Sequence, residues 1–155
     1  MADYTTHEIR HDGDWSDCFD QCLLDYDARF LRRKVIKTMG GADLLVDLTQ
    51  TKSLNHNDAF TLEDGRFIQI VAAAEDLYDV KGDLTQLAWH IGNRHTPCQI
   101  ETTRLLIQRD KVIGHMLEHL GATLVEVSEP FTPEGGAYGH GRTHSHAHVK
   151  TAHDH

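Results

Sequence analysis

The chain of 155 residues is short of the residues that build disulfide-held or fibrous proteins: it has three cysteines, three prolines and only 7% aromatic residues. Cys18, Cys22 and Cys98 are an odd and sparse set, which excludes a disulfide framework and makes reduced thiols the expectation. Cys18 and Cys22 stand four apart with no second pair downstream, so a zinc site built on them lacks half its ligands. Basic residues are the minority, 15 Lys+Arg against 24 Asp+Glu, a formal charge of −9. Such a chain has no electrostatic reason to coat nucleic acid, whose affinity comes largely from phosphate neutralisation. No apolar run approaches the ~20 residues of a bilayer span. The start Met1-Ala2-Asp3-Tyr4 lacks a signal-peptide pattern, so a cytoplasmic protein with neither nucleic-acid nor membrane partners is expected. What the chain has in excess is histidine, 13 in all, and that points to metal.

The first 74 residues read as a β-rich domain. Short strands are expected over Cys22–Tyr26, Phe30–Lys37, Asp43–Leu48, Asp58–Leu62 and Arg66–Val71, with turns at Gly40-Gly41 and at the hairpin dipeptide Asp64-Gly65. Strands at this spacing suggest a small sandwich or open barrel. The Arg32-Arg33-Lys34 run reads as a solvated edge that discourages sheet-to-sheet pairing.

Helical periodicity enters after Ala72-Ala73-Ala74. A strand at Leu77–Val80 leads to Asp83, placed to cap a helix whose stripe is Leu84, Leu87, Ala88 and Ile91, with Gly92 and Pro97 bounding its end. Strands at Cys98–Glu101 and Arg104–Ile107 follow. Asp110 then caps a second helix carrying Val112, Ile113, Met116, Leu117 and Leu120, which Gly121 stops before a strand at Thr123–Val127. That order, βαββαβ over residues 75–138, predicts a ferredoxin-like domain and an α+β fold overall. Residues 139–155 lose apolar periodicity and carry six of the 13 histidines, so a disordered His-rich C-terminal tail is expected.

The histidines separate into groups. His90 lies close to the apolar stripe of the first helix and reads as a hydrogen-bonded core residue. His95 falls beyond the last turn, held by Pro97, and is presented at the surface. His115 and His119 share a helical face at i and i+4, but that face lies off the apolar arc and the glutamate is displaced from H-E-x-x-H, so a solvated face is the simpler reading. In the tail His144, His146 and His148 alternate, with His140 just upstream; neutral imidazole without thiolate suits Ni²⁺, Cu²⁺ and Zn²⁺ and not Ca²⁺ or Mg²⁺. Because imidazole must be deprotonated to bind, affinity is expected to weaken as pH falls through about 6.5. No nucleophile–base pairing, P-loop or dinucleotide fingerprint is present in the sequence, and the chain is expected not to be an enzyme. A general Ni/Zn/Cu-buffering protein is the alternative; a small metallohydrolase would need a third fixed ligand and a base.

Leu87-Ala88-Trp89-His90-Ile91-Gly92-Asn93-Arg94-His95-Thr96-Pro97, Arg109-Asp110, Pro130-Phe131-x-Pro133-Glu134-Gly135-Gly136-Ala137-Tyr138 and the His-rich tail together resemble the UreE family of urease accessory nickel metallochaperones. Looser pieces of the resemblance are Leu24-Asp25-Tyr26-Asp27-x-Arg29 and Leu62-Glu63-Asp64-Gly65. The resemblance implies a homodimer through the ferredoxin-like domains, in which His95 and its symmetry mate share one Ni²⁺ completed by tail histidines such as His140, His144 or His146. It also implies a peptide-binding-like first domain that contacts the urease apoprotein or its accessory proteins, and onward passage of nickel through the GTPase UreG. Lys111 stands where some members carry a further histidine, so the resemblance does not extend to a second internal site there.

Overall fold

The chain divides into two units, Met1–Ala73 and a second beginning at Ala74. The structure is a computed structural model, and it describes residues 1–135.

The first unit is one six-stranded mixed sheet in place of two packed sheets. Its strands are β1 (Tyr4–Arg10), β2 (Cys18–Leu24), β3 (Phe30–Lys37), β4 (Asp43–Ser53), β5 (Ala59–Leu62) and β6 (Phe67–Ala72), in the spatial order β2-β6-β5-β1-β4-β3. With no helix in this unit to cover it, the apolar face is buried by the sheet curling on itself, the open-barrel alternative of the sequence reading. Cys22, Leu44, Val46, Phe60, Ile68 and Ile70, from both halves of the sheet, meet in one core. The curl is pinned where the β3–β4 turn meets β2: the Met39 N–H donates to the Gln21 carbonyl at 2.8 Å, and the Gly40 N–H to Asp20 Oδ1 at 3.0 Å. A Cβ on Gly40 would lie 2.8 Å from the Asp20 carboxylate, so any other residue here would push that side chain aside. β3, with its basic run, is an edge strand as read.

The second unit has the order β7 (Ala74–Lys81), α1 (Leu84–Asn93), β8 (Gln99–Ile100), β9 (Leu105–Gln108), α2 (Lys111–His119) and β10 (Thr123–Pro130). Its antiparallel sheet runs β10-β7-β9-β8, the ferredoxin-like arrangement. Both caps fall where the sequence put them: Asp83 accepts from the Gln86 N–H, and Asp110 from those of Val112 and Ile113. Tyr78, Val80, Leu105 and Ile107 pack with Leu87, Ile91, Ile113 and Leu117 of the helices. The alternate residues Leu77, Asp79 and Leu106 therefore face away from them. Leu77 and Leu106 are nonetheless fully buried, and so is Phe131, just past β10.

Each unit has its own core, so a fragment of residues 74–155 is expected to fold alone, with one cooperative melt by circular dichroism. A featureless spectrum would show the second unit to depend on the first.

Candidate metal centre

His95 is the one sequence-predicted ligand among the described residues; His140, His144, His146 and His148 lie outside them. Its presentation is set by the way α1 ends. The helix runs past Gly92 to Asn93, and Arg94 is its C-cap. The His95 N–H then bonds the Gly92 carbonyl at 2.9 Å and the Thr96 N–H bonds the Ile91 carbonyl at 3.3 Å, the paired bonds of a Schellman ending. In such an ending the residue after the cap takes a left-handed conformation, usually as glycine. Here it is His95, with φ +57°. A side chain in that region costs about 1 kcal/mol relative to glycine. The chain thus holds an exposed imidazole where glycine would be more stable, and strain of this kind concentrates at functional positions.

His90 departs from the core reading. It is half-buried and its ring meets the exposed indole of Trp89 edge-on, 5.0 Å between centroids. His115 and His119 are exposed on α2, as read, and Lys111 is an exposed residue at its start. Beside the site, the Arg94 Nε–H points at Met116 Sδ at 3.1 Å and ties the end of α1 to α2. No three His, Cys, Asp or Glu side chains among the described residues come together to hold a metal ion. Residues 1–135 therefore hold no closed cage of three such side chains around His95.

Two of the three thiols are kept out of this chemistry. Cys98, three residues beyond His95, has its pKa pushed up to about 12, by burial first and by the charge of Glu134 second. Burial, with the nearby Asp20, raises Cys22 likewise to about 12. Both are protonated at neutral pH and are poor ligands. The imidazole of His95 is a donor of borderline softness, of the kind that suits Ni²⁺, Cu²⁺ and Zn²⁺.

The sequence reading missed where the chain goes after β10. Phe131 is fully buried, the Thr132 N–H donates to Gln99 Oε1 at 2.8 Å, and the Glu134 N–H donates to the Cys98 carbonyl at 2.9 Å. The segment thus arrives at β8, directly after the corner that carries His95. Its only signal in the sequence is an aromatic residue between two prolines, Pro130-Phe131-Thr132-Pro133.

Residues 6–73 match the family model described as UreE urease accessory protein, N-terminal domain, and residues 70–155 match that of the C-terminal domain. Over 142 residues the chain is 66% identical to a protein of Ruegeria pomeroyi named urease accessory protein UreE, covering 91% of this chain and 95% of that one. A protein of the same name from Rhodobacter capsulatus is 54% identical over 136 residues, 88% of this chain and 87% of the relative.

Proposed function

The chain belongs to the UreE family of urease accessory proteins, and from that premise we propose that it is a nickel-binding metallochaperone that delivers Ni²⁺ for assembly of the urease active site. The observation that carries the reading is His95: an exposed imidazole fixed at a Schellman corner, at a backbone angle that favours glycine. A ligand presented by one chain becomes a pair when two copies meet across a two-fold axis. In this reading a homodimer joins two His95 side chains on one Ni²⁺, and His140, His144, His146 and His148 supply the remaining imidazoles. Zn²⁺ and Cu²⁺ compete for the same donors in vitro. The first unit contacts the urease apoprotein or its accessory proteins, and the GTPase UreG receives the metal in the cytoplasm.

A carrier must also release its cargo. Neutral imidazoles, several of them interchangeable, let go more readily than a closed thiolate cage, and the two buried, protonated cysteines favour that outcome.

The test is urease activity in cells lacking this protein. Activity is expected to fall when nickel is scarce and to return when nickel is added in excess. An unaffected urease at limiting nickel would favour a general metal buffer instead. A second expectation concerns the tail: deletion of residues 139–155 lowers the number of Ni²⁺ ions bound in a calorimetric titration and leaves the melt of the apo-protein unchanged. Unchanged stoichiometry would remove the tail from the site.

A further inference from the structure

We propose that His115 and His119 on α2 form a second metal site: an open pair of imidazoles that takes one divalent ion of borderline softness, Ni²⁺, Cu²⁺ or Zn²⁺, with water in its remaining positions. The site is separate from His95 and does not rest on the nickel reading above.

The helix supplies the geometry. α2 runs Lys111–His119, and residues at i and i+4 stand on one face with about 5–6 Å between their Cβ atoms. Two imidazoles at that spacing reach one ion at about 2.0–2.1 Å each, as the two histidines of H-E-x-x-H do. The displaced glutamate removes the base of a metalloprotease and leaves the ligand pair intact. The face does not need metal for its shape. Ile113, Gly114 and Leu117 are buried and hold the helix on its sheet, and both histidines are exposed on the other side. An ion therefore meets a pair whose backbone is already ordered, which lowers the cost of binding.

The surroundings separate this pair from the other described histidines. His7 meets the Asp47 carbonyl at 2.9 Å, His11 lies 3.6 Å from Asp58, His56 accepts the Ala72 N–H at 3.1 Å, and His90 meets the Trp89 ring. His115 and His119 make no hydrogen bond or ion pair among the described residues, so their ring nitrogens are open to an ion. The field favours a cation there. His119 sits in the last turn of α2, where the helix dipole places its negative end. Beside His115 an open groove of about 250 Å³ is lined by Tyr78, Glu118 and Glu126, with Lys111 as an opposing charge. The two carboxylates can accept hydrogen bonds from water on the ion. No three donors come together here, so the site is open and its ion exchangeable.

Joining two ligands on one scaffold raises affinity about 10²–10⁴-fold over either alone. The experiment is a Zn²⁺ titration of the full chain labelled with ¹⁵N-histidine, at about pH 7.5, where imidazole is mostly neutral. The His115 and His119 ring signals are expected to move together with one midpoint. In His119→Ala the His115 signal should move only at Zn²⁺ at least about 100-fold higher, and the reverse in His115→Ala. The His11 ring, with its side chain 74% exposed, reports in the same spectra what a histidine outside any pair does. Metal-free melts of both variants should match the wild type, because exposed side chains are removed. His95→Gly should leave the α2 midpoint where it is. A His115 signal that is unmoved by His119→Ala, or rings that respond only where His11 does, overturns the proposal and leaves two solvated histidines with adventitious zinc. An α2 midpoint lost in His95→Gly overturns the separateness of the site. Failure at α2 leaves the nickel reading standing, since that reading is tested on His95.

Discussion

His95→Gly is expected to abolish the tightest nickel-binding step and at the same time to make the apo-protein more stable. The two effects have separate causes. Loss of a supporting residue around a metal commonly costs 10- to 100-fold in affinity, so loss of a ligand shared across a two-fold axis should cost at least about 100-fold. The gain in stability comes from the backbone: at φ +57°, after the Arg94 cap, glycine is the residue the Schellman ending favours. Removing the side chain there should contribute about 1 kcal/mol. For an independently folding unit the size of the second that raises its melting temperature by about 4–8 °C. His95→Ala should lose the same binding step without the stability gain, because alanine keeps the Cβ that the left-handed region disfavours. By contrast, single alanine changes at His140, His144, His146 or His148 should weaken binding only modestly, since neighbouring imidazoles can substitute. Nickel titration and metal-free melts of the Gly and Ala variants decide the matter. A tight step that survives in either variant removes His95 from the site, and a destabilised Gly variant refutes the backbone cause.

The left-handed backbone at His95 is not legible in the sequence, and the reason is physical. Gly92 reads as the natural end of α1, yet the helix continues through it and the left-handed residue falls three positions later, on His95. A Schellman ending is defined by which carbonyls remain unpaired, and composition does not report that. Local signals were legible: Asp83 and Asp110 cap their helices because a carboxylate preceding an apolar-periodic run has free amides within reach. The order of elements in the second unit was legible for the same reason, and with it the ferredoxin-like sheet.

In the first unit alternation failed where the strands are irregular. β1 was not expected at all, since Tyr4, Thr6 and Ile9 do not alternate; a register shift between Thr6 and Glu8 changes the parity midway. Thr6 is fully buried in spite of its hydroxyl, which bonds the carbonyls of Thr61 and Glu8. β2 begins four residues earlier than read, across a second shift between Cys18 and Asp20, and β4 runs on to Ser53 through a polar stretch. Of the candidate site, the exposed position of His95 beyond the end of α1 was legible from the order of residues. The crossing of Phe131 was not, because it depends on a sheet face that only the folded unit creates.

The face of that sheet turned away from the helices carries the other large expected effect. Arg104 lies among three carboxylates: it donates to Glu129 at 2.7 and 2.9 Å, to Glu101 at 2.9 Å and to Asp79 at 3.1 Å. Its side chain is 20% exposed and that of Asp79 only 9%, so this is not a pair that water screens freely. Lys81, at 3.4 Å from Asp79, is the second cation at the cluster. Arg104→Leu leaves three acids facing one another with Lys81 alone to balance them, and breaking a buried pair in this way costs about 3–5 kcal/mol. Partial exposure of Glu101 and Glu129 puts the expected loss at the lower end, about 3 kcal/mol at pH 7.

The pH dependence should change sign with it. In the wild type, hydrogen bonds from Arg104 hold the Glu129 carboxyl below its ordinary range, against the opposing pull of burial. A carboxylate depressed in the folded state contributes stability that is present above its unfolded pKa of about 4.3 and lost as pH falls through the lower folded value. The wild type should therefore gain stability from this group as pH rises from the lowered folded value through the unfolded value. In Arg104→Leu the Glu129 carboxyl loses the hydrogen bonds that hold it down and faces two other acids, so protonation relieves the repulsion: stability is present at low pH and lost as pH rises through the ordinary carboxylate range. Urea melts should then find the variant more stable at pH 4 than at pH 7, and the wild type the reverse. Arg104→Lys should fall between them, because a point charge cannot serve two carboxylates bidentately. Parallel pH profiles for wild type and Arg104→Leu would mean that the three carboxylates do not share one electrostatic site.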